Sequence, residues 1–134
     1  MIKEEYKYSE LTGKIIGCAM EIHKTLGSGF PEIIYQRALE IEMLKLNINF
    51  EKEKEVKIFY KEDVIGKRRV DFIIEDVIFI ETKAISKLED KELNQGLNYL
   101  TAYKFEIGLL INFGANSLEF KRLINSKHSK EKSF

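Results

Sequence analysis

Asp71 and the run Glu81-Thr82-Lys83 combine carboxylates with an ammonium group in a spacing that can serve phosphate chemistry. Glu81 and Lys83 flank a single residue, so on a strand both point to the same face. The apolar run before them, Val77 to Ile80, reads as a buried central strand. A carboxylate and an ammonium at the end of such a strand need each other or a ligand. In one reading, Asp71, Glu81 and a backbone carbonyl, that of Thr82, bind Mg2+ or Mn2+, ions that prefer oxygen ligands. The ion would polarise a phosphate and make water more acidic, with Lys83 orienting that water or steadying developing charge. The plainer reading is a Glu81–Lys83 ion pair on a half-exposed strand.

Two helical groups and one basic run extend the set. Glu32 and Tyr35, in Gly29-Phe-Pro-Glu-Ile-Ile-Tyr35, share a helix face. Glu32 is either a further carboxylate facing the ion or simply an acid favoured by the helix dipole; Tyr35 beside it is a candidate substrate contact. Gln95 and Tyr99 lie one turn apart and could position substrate through amide and phenol, or be an ordinary polar surface. Lys67-Arg68-Arg69 precedes Asp71 and offers phosphate contacts, Arg69 among them, or a solvated strand edge. His23 suits the end of the first helix electrostatically, Cys18 reads as core, and His128 as solvated.

The elements that must hold these residues follow from periodicity. Leu11, Ile15, Ile16, Ala19, Ile22 and Leu26 recur at helical spacing after a capping Ser9, and Gly27-Ser28-Gly29 ends that helix. A second helix starts at Phe30-Pro31 and carries Ile34, Ala38, Ile41 and one of Leu44 or Leu46 inward. Val56, Ile58 and Tyr60 mark a strand, Asp63 to Gly66 a turn, and Val70, Phe72 and Ile74 a second strand. Leu88 to Lys104 returns to helical spacing, with Leu93, Leu97 and Leu100 or Thr101 on one face. Ile107 to Phe113 and Leu118 to Ile124 are the last strands. The order is α-α-β-β-β-α-β-β, a mixed sheet with helices against it. Register sets a condition. A two-residue turn at Glu75-Asp76 would put Asp71 and Glu81 on opposite faces, so a shared site requires a three-residue loop at Glu75-Asp76-Val77 or a bulge.

Bulk properties narrow the classes. The 134 residues suit one domain, 1–125, followed by a flexible basic tail, 126–134. One cysteine excludes an internal disulfide and a cysteine-built zinc site. The first residues are too polar for a signal peptide, and no apolar run approaches the roughly 20 residues of a membrane helix. A cytoplasmic protein without membrane association is expected. Lys plus Arg and Asp plus Glu both number 22, so the formal charge is zero. That argues against broad adhesion to nucleic acid but not against a local site.

Leu11-Thr-Gly-Lys-Ile-Ile-Gly17, Glu21-Ile-His23 and Leu26-Gly-Ser-Gly29 form, with Gly29, Glu32 and Tyr35, a pattern that resembles the GxxExxY family. Asp71, Glu81-Thr82-Lys83, Gln95 with Tyr99, and Gly108-Leu-Leu-Ile-Asn-Phe-Gly114 extend the resemblance from about Leu11 to Ile124. That family is placed among PD-(D/E)XK nucleases, whose core is αβββαβ. The resemblance implies this α/β core with an extra N-terminal helix. It also implies Asp71 and Glu81 as metal ligands and Lys83 as the catalytic lysine. Glu32 corresponds to the acid often found on the first core helix, and Gln95 and Tyr99 to the QxxxY motif of RecB-like nucleases. A Mg2+- or Mn2+-dependent nuclease acting on DNA sooner than RNA, with a homodimer possible, is the expectation. A binding module that retains the fold without catalysis, and a purely structural interaction protein, are the alternatives.

Overall fold

A computed structural model describes residues 8–125 of the chain; the basic tail and His128 lie outside them. Three helices and five strands follow in the expected order. They are α1 (Ser9–Leu26), α2 (Glu32–Lys45), β1 (Phe50–Tyr60), β2 (Asp63–Ile74), β3 (Ile78–Lys83), α3 (Asp90–Tyr103), β4 (Ile107–Asn112) and β5 (Glu119–Ile124). The sheet runs β1-β2-β3-β4-β5 in space. β3 and β4 pair in parallel and the remaining neighbours pair antiparallel. Parallel neighbours need a crossover, and α3 supplies it. Among the described residues no helix is long and apolar enough to cross a membrane.

Each face of the sheet buries its own apolar layer. On one, Ile15, Ala19 and Ile22 of α1 and Tyr35, Leu39 and Met43 of α2 pack on Phe72, Ile74, Ile78, Ile80, Leu109 and Ile111. On the other, Leu100 and Tyr103 of α3 pack on Val70, Ile73, Phe79, Leu110 and Leu123. β4 is buried at every position, as a strand covered on both faces must be. Cys18 is core and His23 is structural, its Nε2 lying 2.9 Å from the Ala115 carbonyl.

Several local expectations need correction. Asp63 to Gly66 is strand: the chain reverses at Lys61-Glu62, with Tyr60 opposite Asp63, and a register shift after Ile58 absorbs the odd residue. Ser9 is the first residue of α1 and makes no side-chain cap; Pro31 precedes α2, whose first residue is Glu32. The buried stripe of α2 is Tyr35, Leu39 and Met43, whereas Ile41, Leu44 and Leu46 are exposed. Leu97 is likewise exposed, and Gly96, Leu100 and Tyr103 form the buried face of α3.

The decisive register is that of β2 and β3. Ile74 pairs with Ile78 and Phe72 with Ile80. The loop is therefore the three residues Glu75-Asp76-Val77, with Glu75 and Asp76 both in the left-handed region at φ 51° and 61°. The regular pairing ends at Phe72 and Ile80, immediately before Asp71 and Glu81.

Candidate active site

Asp71 stands where β2 turns its inner face over. Strict alternation would put Val70 in the same layer as Phe72 and Ile74, but Val70 packs in the α3 layer with Ile73. β1 rolls over beside it. Phe50 packs in the α1/α2 layer and Val56 and Ile58 in the α3 layer, with Glu53 at φ 51° between them. This roll lets Asp71 serve both sides of the sheet. Its Oδ2 accepts the backbone N–H of Thr82 at 2.7 Å and the Thr82 hydroxyl at 2.9 Å. Those two bonds hold β2 to β3 where their regular pairing has stopped.

On the α1/α2 side the site continues into α2. Gln36 Nε2 donates to the Thr82 hydroxyl oxygen at 2.8 Å and to Glu32 Oε1 at 3.2 Å. Burial and the Asp71 charge raise the Glu32 carboxyl above its ordinary value, against the opposing pull of Lys83 and Thr82. Glu32 starts a helix, so the dipole favours it too, but half-burial facing another carboxylate is not where an acid goes for the dipole alone.

On the α3 side, Glu81 is 7% exposed. Its Oε1 accepts from Arg68 Nη1 at 2.7 Å, and the same nitrogen donates to the Tyr103 hydroxyl at 3.0 Å. The Arg68 guanidinium lies 4.0 Å from the centre of the Tyr99 ring, which stacks in turn on Tyr103. Burial first, then the Asp71 charge, pushes the Glu81 carboxyl up to about 7, although Arg68 and Lys83 pull the other way. Burial and its surroundings push the Tyr103 hydroxyl up to about 12. Asp71 thus acts on Glu32 and Glu81 together, and Lys83 is the cation that both of them feel.

The oxygens left over decide what the cluster can hold. Asp71 Oδ1 and Glu81 Oε2 make no hydrogen bond among the described residues. Among those residues, too, no three His, Cys, Asp or Glu side chains form a group able to hold a metal ion by themselves. The donor set that remains is two carboxylates with help from backbone and water. That suits a hard ion such as Mg2+, which keeps several waters and takes one or two carboxylates.

Of the residues singled out in the sequence, Asp71, Glu81, Thr82, Lys83, Glu32 and Tyr99 are brought together. Gln95 is exposed on α3, one turn before Tyr99. Tyr35 is not at the site. It is fully buried, stacked on Phe113, and its hydroxyl donates to the Gly27 carbonyl at 2.6 Å and accepts from Phe30 N–H at 3.1 Å. Its work is to fasten the loop that launches α2 and so to aim Glu32. Tyr35→Phe leaves a backbone donor and acceptor unpaired and is expected to cost about 1–3 kcal/mol in urea unfolding. Arg69 is exposed, and Arg68 is the residue of this basic run that reaches Glu81. Regular alternation from Asp71 points to Arg69; the roll of β2 substitutes its neighbour. Gln36 and Tyr103 were missed as well, although each lies one turn beyond a residue that was singled out, Glu32 and Tyr99.

No curated protein matches the sequence significantly. Among solved structures, the crystal structure of SSO0001 superposes with a TM-score of 0.56 at 22% identity, covering 96% of this chain and 67% of that one. At that identity the likeness is one of fold. A family model of the PD-(D/E)XK nuclease superfamily matches residues 9–123, from the first residue of α1 into β5. With this sheet order and an acidic cluster where β2 and β3 part, the chain belongs to the PD-(D/E)XK nuclease superfamily.

Proposed function

We propose that the protein is a Mg2+- or Mn2+-dependent phosphodiesterase that hydrolyses DNA in the cytoplasm, within the superfamily a member of the GxxExxY group. The observation that carries this reading is the convergence on Asp71: one carboxylate, tied down by the Thr82 N–H and hydroxyl, lies within electrostatic reach of Glu32 and Glu81 on opposite faces of the sheet, both raised first by burial and then by its charge. Carboxylates are expensive to bury together, and a divalent cation removes that cost. Asp71 and Glu81 would hold the ion, with the Thr82 carbonyl and Glu32, directly or through water, completing its shell. The bound ion supplies charge neutralisation at the phosphate and acidifies water.

The remaining work falls to the chain itself. Lys83 places a positive charge beside Glu32 and Glu81, where it orients the attacking water and steadies charge developing on a phosphate oxygen. Gln36 fixes Thr82 and Glu32 relative to each other. Tyr99 and Gln95 lie on the α3 side, where they hold the neighbouring nucleotide in line; a misplacement of about 1 Å costs roughly 100-fold in rate.

A second reading, a module that binds nucleic acid or a partner without cleaving, is favoured by the Arg68–Glu81 ion pair, which occupies one proposed ligand. Glu32→Gln separates the two. If Glu32 serves the site, the substitution lowers Mn2+-dependent cleavage of a labelled oligodeoxynucleotide by about 100-fold or more, while the melting temperature barely moves. Wild-type protein that binds the oligonucleotide but leaves it intact in Mn2+ establishes the second reading instead.

A further inference from the structure

Arg68 is a firmly placed cation that the proposed chemistry does not use. It comes from β2, crosses to the α3 side and ends between Glu81 and Tyr103. Its Nη1 makes both of its hydrogen bonds, to Glu81 Oε1 at 2.7 Å and to the Tyr103 hydroxyl at 3.0 Å. Its Nε and Nη2 groups make none among the described residues, and 30% of the side chain is exposed. The guanidinium carbon lies over the Tyr99 ring, 4.0 Å from its centre. A cation–ring contact of this kind holds the group in place without consuming a single N–H donor.

Two demands meet at Glu81. A carboxylate buried to this degree needs a counter-charge whenever it is ionised. Arg68 meets that need, yet its bond covers an oxygen that a metal ion would also seek. We propose that Arg68 is an exchangeable counter-ion: Glu81 gives it up when the divalent cation binds, and the freed guanidinium, still stacked on Tyr99, clamps a phosphate of the substrate strand. The freed Nη1 and the idle Nε and Nη2 form the fork that matches phosphate oxygens. No covalent bond changes; one ion pair is traded for two. Arg69, exposed beside it, cannot do this, because it reaches neither Glu81 nor the tyrosine platform.

This inference rests on the metal-dependent reading of the site, and its test keeps the two apart. Mn2+ binding is measured by calorimetry on the wild type, Arg68→Met and Arg68→Lys. Binding of a short oligodeoxynucleotide is followed by fluorescence anisotropy in Ca2+, which takes the same oxygen ligands. The proposal expects opposite signs in Arg68→Met: Mn2+ bound roughly tenfold more tightly, because its competitor is gone, and the oligonucleotide bound roughly tenfold more weakly. A merely structural role would weaken both. Arg68→Lys keeps the charge without the fork or the stacking, so its oligonucleotide affinity should stay low; wild-type affinity there would overturn the clamp. A third measurement needs no variant. On titrating the wild type with Mg2+, the Arg68 guanidinium protons observed by NMR should lose their slow exchange with water as the Glu81 bond opens. Unchanged signals at saturating Mg2+, or unchanged Mn2+ affinity in Arg68→Met, overturn the exchange while leaving the metal site standing. A wild type that binds no Mn2+ overturns both.

Discussion

Asp71→Asn should bind Mn2+ at least about 100-fold more weakly than the wild type and lose roughly 1000-fold in cleavage rate, with no loss of melting temperature. Asparagine is the informative replacement. Its amide oxygen can still accept the Thr82 N–H that Asp71 Oδ2 accepts at 2.7 Å, so β2 remains tied to β3. Only the charge goes. Because that charge raises both Glu32 and Glu81, its removal relieves two repulsions at once in the ion-free protein, and the variant should melt at the same temperature or higher. Asp71→Ala mixes in a structural loss, since it strands the Thr82 N–H where the regular ladder has already ended. Calorimetry and thermal melts on the same samples check the pair of expectations. Unaltered Mn2+ affinity in Asp71→Asn removes Asp71 from the ligand set.

The ion-free protein should also be less stable at pH 8 than at pH 5, against the habit of proteins rich in paired carboxylates. Glu81 is the reason. Its folded-state value is pushed up to about 7 from an ordinary 4.5. Between those values the folded chain holds a proton that the unfolded chain has released. Stability from this group is therefore complete below 4.5 and drains away as pH rises through 7, by roughly 3 kcal/mol in all. Glu32, raised in the same direction, adds to the slope. Glu81→Gln cannot release the proton and should flatten most of the profile. Saturating Mg2+ should reverse the wild-type slope, because the ion binds the deprotonated form. Urea unfolding across this pH range, with and without Mg2+, reads all three; a wild-type profile that rises from pH 5 to pH 8 without metal contradicts the electrostatics described for Glu81.

How far the sequence discloses this arrangement depends on how local the determining physics is. The Glu75-Asp76-Val77 loop was legible, because strand register and the need for Asp71 and Glu81 to meet leave few alternatives. The order of elements and the buried β4 follow from periodicity. The turn at Lys61-Glu62 was misplaced to Asp63–Gly66 because Gly66 looks like a turn residue, whereas the chain uses Lys61 at φ 55°. The inner face of α2 was misread because its apolar residues are spread around the helix. Tyr35 goes inside only because the backbone at Gly27 and Phe30 satisfies its hydroxyl, a fact of tertiary structure. Arg68 in place of Arg69 is the same lesson at the site. Alternation is a rule for strands that keep one face inward, and β2 does not.

That turning-over of β2 at Asp71 has a bearing on when activity can arise during folding. Glu32 arrives with the layer packed by α1 and α2, Arg68 and Tyr99 with the layer packed by α3, and Asp71 belongs to neither until both have closed. The β3–β4 pairing that completes the sheet waits on the α3 crossover, a contact between distant parts of the chain and hence a slow one to form. Until both layers pack, Glu32 on one side and Arg68 and Tyr99 on the other are not held around Asp71. On the proposed reading, hydrolytic competence would thus be confined to the finished protein: a chain able to cut nucleic acid would be one that has already folded to the end.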